Sequence, residues 1–294
     1  MRLIDGKTIS DAIKKEIAAE VASLMDKGHR PPHMAAILVG HDGASETYIA
    51  SKEKNCRAVG MTSSLYRYEE NISEKELLEV ISFLNDDEEV DGFIVQLPLP
   101  RHMDVDRIIA AVDPDKDIDG FHPVNMGRLA LGEDAFVPAT PCGIMELLKR
   151  DGIETSGKKC VVLGRSNIVG TPMALLMSRN NPHANATVTI CHSKTADLAA
   201  EARQADILVA ALGKPGFVTA DMVKDGAVVV DVGIHRIADS TKQSGFRLVG
   251  DVDFEKVAPK CAAITPVPGG VGPMTIAALL MNTMKAYKKK EKIG

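Results

Sequence analysis

The chain has 294 residues, 45% of them hydrophobic and 26% charged, with a formal net charge of −5. That length allows about two ordinary domains with sizeable apolar cores. The negative balance argues against a bulk electrostatic grip on nucleic acid or on an anionic membrane. The cysteines Cys56, Cys142, Cys160, Cys191 and Cys261 form no CxxC pair. No disulfide framework is expected, and a reducing compartment fits. Residues 1–15 carry scattered charges in place of an apolar signal segment. No window approaches the ~18 uninterrupted apolar residues of a membrane span. A cytoplasmic protein is expected.

In chain order, residues 34–39 read as a strand and 45–59 as a helix. Residues 64–68 read as a weaker strand, and 74–84 as a helix with Leu77, Leu78, Ile81 and Leu84 on its apolar face. Residues 92–97 are a third strand. This alternation predicts a mostly parallel sheet covered by helices. Residues 113–140 are rich in Asp, Gly and Pro and read as turns joining two units. The alternation then restarts with a strand at 159–163, a helix at 169–178 and a strand at 186–191. A helix at 197–204 and strands at 207–212, 227–232 and 262–265 follow. Residues 273–288 read as an amphipathic helix with Pro273 in its first turn. Its periodicity leaves open which unit it packs on. The basic tail Lys288, Lys289, Lys290, Lys292 reads as a solvated helix end suited to the helix dipole, with phosphate binding as the alternative. The expected fold is α/β, with two α/β domains, the second a Rossmann-like doubly wound parallel sheet, and an interdomain cleft. The expected division is 1–138 for a first domain, with 273–294 assigned to it, and 139–272 for a second.

The strand at 159–163 runs into Gly164-Arg165-Ser166-Asn167-Ile168-Val169-Gly170, a variant of the dinucleotide fingerprint. The first glycine permits a tight turn, and the last permits close packing of helix on strand. The helix then points free N–H groups at a pyrophosphate. Ser166 replaces the middle glycine and can donate a hydrogen bond. The motif alone is weak, but its place between strand and helix strengthens it. The alternative is an ordinary glycine-containing turn. The next strand ends in His192, Ser193 and Lys194, without the acid that holds the ribose hydroxyls in NAD sites. With Arg165 in the turn, a 2′-phosphate suits better, so the expected cofactor is NADP. His192 equally fits an exposed loop position. Two further loops fall at strand ends, 231–235 and 265–273. Glycines in the second let a backbone approach a ligand closely, although a helix start made of turn residues reads the same way.

In the first unit, Tyr48 and Lys52 share one helix face. A lysine can shuttle a proton if burial lowers its pKa, and a surface lysine lying over a half-buried tyrosine is the competing reading. Short-chain dehydrogenases also use Tyr-x-x-x-Lys, but after their nucleotide turn, whereas here it comes before. Gln96 ends the third strand among prolines and is a candidate ligand or lysine partner, or a plain loop residue. The acids at 113, 115, 117 and 119 alternate, yet positions 6 and 12 of a calcium loop counted from Asp113 are Ile118 and Val124. The EF-hand pattern therefore fails, and no metal is expected. A single carboxylate such as Asp119 suits an amidine-like ring edge.

Together these segments resemble the methylenetetrahydrofolate dehydrogenase/methenyltetrahydrofolate cyclohydrolase family. The matching pieces are Tyr48-x-x-x-Lys52, 91–100 with Val95-Gln96-Leu97-Pro98, 116–121, 138–141, 164–172, 191–195, 231–234 and 268–275. They run in the family's order over nearly the whole chain. The resemblance implies a folate substrate whose one-carbon unit is oxidised with NADP and then hydrolysed. It implies Lys52 as the proton-transfer residue, Gln96 as its tuning partner, Tyr48 over the folate and Asp119 on the pterin. Ser45, one turn before Tyr48, joins this cluster. Gly164, Arg165, Ser166, Ser193 and Ile234 would hold NADP, with Pro268, Gly269 and Gly270 beside the substrate. His235 lies where the family varies and receives no role. The family is homodimeric and works in both directions. Two other readings stay open: a dehydrogenase without the hydrolytic step, and a non-catalytic nucleotide sensor, which would need none of Lys52, Gln96 and Asp119.

Overall fold

The structure, a computed structural model, describes residues 1–242 and 245–293. The chain opens with β1 (Arg2–Leu3), α1 (Gly6–Asp26), β2 (His33–Val39), α2 (Gly43–Ala58), β3 (Thr62–Tyr68), α3 (Glu74–Asp86) and β4 (Gly92–Val95). Three helices follow, α4 (Val105–Ala110), α5 (Pro123–Leu131) and α6 (Ala139–Arg150). Then come β5 (Lys159–Leu163), α7 (Gly170–Ser178), β6 (Thr187–Cys191), α8 (Leu198–Ala202), β7 (Ile207–Ala210) and β8 (Val228–Asp231). The chain continues through β9 (His235–Ala238), β10 (Phe246–Val249), α9 (Phe254–Val257), β11 (Ala263–Ile264) and α10 (Val271–Glu291). Two compact units result. The first holds Ala12–Ala139 and the chain from Ile276 on; the second holds Met1–Asp11 and Thr140–Thr275.

The first unit is built on a parallel sheet in the order β3-β2-β4. Met34 to Val39 are all buried, as a central strand covered on both faces requires. Helix α3 starts at a capping box in which Ser73 Oγ accepts from Glu76 N and Glu76 Oε2 accepts from Ser73 N. It buries Leu77, Ile81 and Leu84, spaced one turn apart, in a core shared with Ile37, Phe93 and Val95. The later part of α10 belongs to this unit: Tyr287 is buried, and its hydroxyl donates to the Arg30 carbonyl at 2.9 Å. The basic tail is paired as well as solvated, because Lys288 meets Glu20, Lys289 meets Asp115 at 2.5 Å and Lys290 reaches the Glu88 carbonyl.

Residues 113–140 are more than turns, for they contain α5. Pro123 occupies the first turn, the His122 side chain caps it, and Gly132 closes it at φ 79°. The sequence reading also missed α1, whose Ile13, Ile17, Val21 and Leu24 are buried.

The second unit is a six-stranded parallel sheet in the order β1-β11-β8-β7-β5-β6. β6 lies on one side of β5 and β7 on the other, so the winding reverses at β5. Ligands of open α/β sheets bind at the carboxyl ends beside such a reversal. Strand β1 pairs Arg2 with Ala263 and Leu3 with Ile264. That pairing puts the first eleven residues in the second unit, not with 12–138 as the expected division had it. The antiparallel hairpin β9–β10 was likewise not anticipated.

One buried ion pair ties β4 to the loop before β2. Asp91 is 2% exposed, and Arg30 holds it through two bonds of 2.9 and 2.6 Å while His33 N donates to it at 2.7 Å. Removing one partner of a buried pair strands the other charge. We expect Arg30→Ala to lose ~2 kcal/mol by urea unfolding, scaled down from the fully buried case because the guanidinium reaches water. A loss under ~0.5 kcal/mol would show that water replaces the guanidinium.

Candidate active site

Helix α2 is nucleated by Asp42, whose carboxylate accepts from Ser45 N and from Ser45 Oγ, both at 2.8 Å. Ser45 is therefore buried as part of the cap, with its hydroxyl proton directed at Asp42. Tyr48 and Lys52 follow on the same face. Lys52 is 4% exposed, and its ammonium lies 4.7 Å from the Tyr48 ring centroid. Gln96, just past β4, accepts from Lys52 Nζ at 3.2 Å and donates through Nε2 to the Leu97 carbonyl at 2.7 Å. That second bond fixes which amide atom faces the lysine. Burial sets Lys52 apart from a surface lysine, and Gln96, partly buried in the loop after β4, is its amide partner.

Burial lowers the Lys52 pKa, against the opposing pull of the Asp119 carboxylate. Asp119 feels the converse. Desolvation pushes it up to about 6, Lys52 draws it back, and Asp117 adds repulsion. The segment that presents Asp119 is organised by Asp117, which the sequence reading treated only as one acid among four. Asp117 is 4% exposed and accepts from Gly120 N at 3.0 Å, Phe121 N at 3.2 Å, His122 N at 2.8 Å and Asn125 Nδ2 at 2.9 Å. Gly120 adopts φ 75°, and a Cβ there would meet the backbone at Pro138. Asn282 on α10 holds the same segment by donating to the Ile118 carbonyl at 2.8 Å and the Val137 carbonyl at 2.9 Å.

In the second unit the Gly164 turn lies between the ends of β6 and β7. Gly164 N donates to the Cys191 carbonyl at 2.8 Å, and Ala211 N donates to the Leu163 carbonyl at 2.9 Å. Gly164 has φ 120°, and any Cβ would collide with the Ala211 carbonyl. A Cβ on Gly170 would collide with the Gly164 carbonyl. Ser166 Oγ accepts from Val169 N at 3.1 Å and Gly170 N at 3.4 Å, which leaves its hydroxyl proton to donate. Arg165, Ser166, Ser193 and Lys194 are exposed around this turn. His192 shapes the neighbouring turn, its Nδ1 accepting from Lys194 N at 3.2 Å and its N donating to Thr195 Oγ1 at 2.9 Å. A glycine turn at a helix start, ringed by cations and hydroxyls and lacking an acid, fits a dinucleotide with a 2′-phosphate. Ile234, beyond β8, is 61% exposed. Pro268 is exposed, Gly269 has φ 106°, and Gly269 O accepts from Lys7 N at 2.9 Å. Gly270 is buried where a Cβ on Gly6 would strike its carbonyl.

Known proteins match both halves. The tetrahydrofolate dehydrogenase/cyclohydrolase catalytic domain matches residues 4–119, and the NAD(P)-binding domain of the same family matches residues 138–291. A bifunctional protein FolD of Phocaeicola vulgatus is 61% identical over 289 residues, 98% of this chain and 99% of that protein. The chain belongs to the tetrahydrofolate dehydrogenase/cyclohydrolase family. Among solved structures of this family, the FolD methylenetetrahydrofolate dehydrogenase/cyclohydrolase of Campylobacter jejuni is similar at TM-score 0.92 and 49% identity, covering 98% of this chain and 99% of that one. The Trypanosoma brucei enzyme, solved with NADP cofactor and an inhibitor, is similar at TM-score 0.92 and 40% identity, covering 99% of this chain and 98% of that one.

A buried ammonium with one amide acceptor lowers stability. A lysine whose folded pKa is depressed makes stability rise with pH between its folded and unfolded values, and the full penalty applies below that window. We expect Lys52→Met to raise the stability measured by urea unfolding at pH 7, by on the order of 1 kcal/mol. The advantage should shrink as pH approaches 10. A variant less stable than the parent at pH 7 would mean that the Gln96 and Tyr48 contacts outweigh desolvation.

Proposed function

We propose that both steps of this family's chemistry run on the residues just described, with folate on the first unit and NADP on the second. The chain oxidises 5,10-methylenetetrahydrofolate to 5,10-methenyltetrahydrofolate with NADP and hydrolyses that product to 10-formyltetrahydrofolate. NADP supplies the hydride acceptor. The bridging carbon is flanked by two nitrogens, so loss of hydride leaves a stabilised cation, and this step needs orientation more than acid–base help. Gly164, Arg165, Ser166, Ser193 and Ile234 hold the dinucleotide, Arg165 and Ser193 facing its 2′-phosphate. Tyr48 lies over the folate, and the Asp119 carboxylate takes the amidine edge of the pterin through two hydrogen bonds.

Hydrolysis needs proton transfer. Water adds to the cationic carbon, and Lys52 in its neutral form takes one of its protons. The carbon–N5 bond then breaks as Lys52 returns that proton to N5. The remaining hydroxyl proton leaves to solvent as the formyl carbonyl forms. Gln96 orients the Lys52 amine and stabilises its charged form between the two transfers. Pro268, Gly269 and Gly270 border the substrate, and Ser45 supports it only through the α2 cap. The same reading makes the chain a cytoplasmic homodimer; among the described residues no helix is long and apolar enough to cross a membrane.

The observation that carries the reading is the buried Lys52 ammonium, 3.2 Å from Gln96 Oε1. We expect Lys52→Ala to abolish hydrolysis while NADPH still binds. The methenyl absorbance should then build up and persist when methylenetetrahydrofolate and NADP are supplied. Formyl product forming at the parent rate would remove Lys52 from the mechanism.

A further inference from the structure

Two buried carboxylates of the second unit take no part in this chemistry. Asp231, which ends β8, is 2% exposed, and Asp251, just past β10, is 0% exposed. Their oxygens go chiefly to backbone N–H groups. Asp231 accepts from Gly233 N at 3.0 Å, Asp251 N at 2.8 Å and Val252 N at 3.1 Å. Asp251 accepts from Leu212 N at 2.6 Å, Gly213 N at 2.9 Å and Lys214 N at 2.8 Å, and its Oδ1 lies 2.8 Å from His235 Nε2. Gly233 and Gly250 make the approach possible, since a Cβ on either would strike one of these carboxylates.

What the pair holds is as informative as how it holds it. Leu212 follows Ala211, whose carbonyl sits against Gly164 too closely to admit a Cβ. The segment anchored by Asp251 therefore borders the dinucleotide turn. Ile234 is bracketed, with Gly233 N on Asp231 before it and the His235 ring on Asp251 after it. Ile234 is 61% exposed, while its neighbours on either side are tied to these carboxylates.

We propose that Asp251 is a positioning residue for the dinucleotide: it fixes the backbone from Leu212 to Lys214 beside the Gly164 turn and, through His235, sets the Ile234 side chain against the bound nucleotide. This rests on the reading that NADP lies on Gly164, Arg165, Ser166 and Ile234. An ionised carboxylate can accept all four contacts at once, and such bonds are short and directional. An asparagine would turn amide hydrogens toward N–H donors, so Asp251→Asn breaks the arrangement without changing its volume. His235→Ala removes one tie and leaves the Leu212, Gly213 and Lys214 N–H groups paired.

The test is NADPH binding by fluorescence titration, with steady-state kinetics, for Asp251→Asn, His235→Ala and the reference variant Gly164→Ala. Asp251→Asn should raise the NADPH Kd and the KM for NADP at least about tenfold, the scale of one lost charge-assisted hydrogen bond. Its kcat at saturating NADP should stay within about threefold, because the contact acts on binding. The KM for methylenetetrahydrofolate should not move, and hydrolysis of methenyltetrahydrofolate, assayed without dinucleotide, should persist. His235→Ala should shift the same NADP parameters by a smaller factor. A merely structural role would lower kcat for both reactions and leave the KM for NADP in place, which overturns the proposal. If Asp251→Asn does not fold, an unchanged KM for NADP in His235→Ala overturns it. If the Asp251 and His235 variants bind NADPH normally while Gly164→Ala does not, the positioning role fails and the cofactor site stands. Normal binding by Gly164→Ala would remove the cofactor site, and the proposal with it.

Discussion

The removal of the Lys52 ammonium from water is the constraint on which the chemistry proposed for the first unit depends. An ammonium with three donors meets one amide oxygen and one aromatic face. Water would satisfy it better, so the neutral amine gains ground, and a neutral amine is what a proton acceptor must be. Gln96 keeps the charged form accessible without locking it there, because an amide oxygen accepts a proton donor but carries no countercharge. Asp119 supplies some of that countercharge from further away and is itself pushed up to about 6 by burial. Each group is held off its ordinary titration range by an environment that the fold builds at a cost in stability.

The second unit works by close approach. Glycines at 164, 170, 233 and 250 stand where backbone or carboxylate comes too near for a side chain. Two of them let the Gly164 turn fold onto its own helix and onto the exit of β7. The other two admit the carboxylates of Asp231 and Asp251. Backbone N–H groups at strand ends need acceptors, and here side-chain carboxylates supply them. The burial cost appears at Asp231, which desolvation raises to about 6 against three backbone bonds and with repulsion from Asp251.

The parts legible in the sequence were those written locally. β2 and β5 read as strands because their apolar runs are continuous. Tyr48 and Lys52 could be placed on one face by spacing alone, and the Gly164 turn by its position after a strand. The prediction of a parallel sheet for the second unit corresponds to the six-stranded sheet found there. Helix α1 carried the same kind of signal in Ile13, Ile17 and Val21 and was passed over. α5 was hidden by the Asp, Gly and Pro around it, although Pro123 and Gly132 mark its two ends. Asp42 followed by Ser45 is a helix-start signature, and it would have assigned the Ser45 hydroxyl to the cap. Asn282 could not be read, since its partners Ile118 and Val137 lie far away in sequence. Asp251 was equally silent: its partners at 212–214 and 235 come from the loop after β7 and the start of β9, and a Gly-Asp dipeptide after a strand predicts only a turn.

The central claim, that burial lowers the pKa of the Lys52 amine, is tested most directly by titrating that one side chain. With lysine isotopically labelled at Cε, its NMR signal can be assigned by loss in Lys52→Met and followed against pH. The account predicts a midpoint clearly below the ~10.4 of an exposed lysine, returning toward it on unfolding in urea. A midpoint at or above that ordinary value in the folded protein would contradict it.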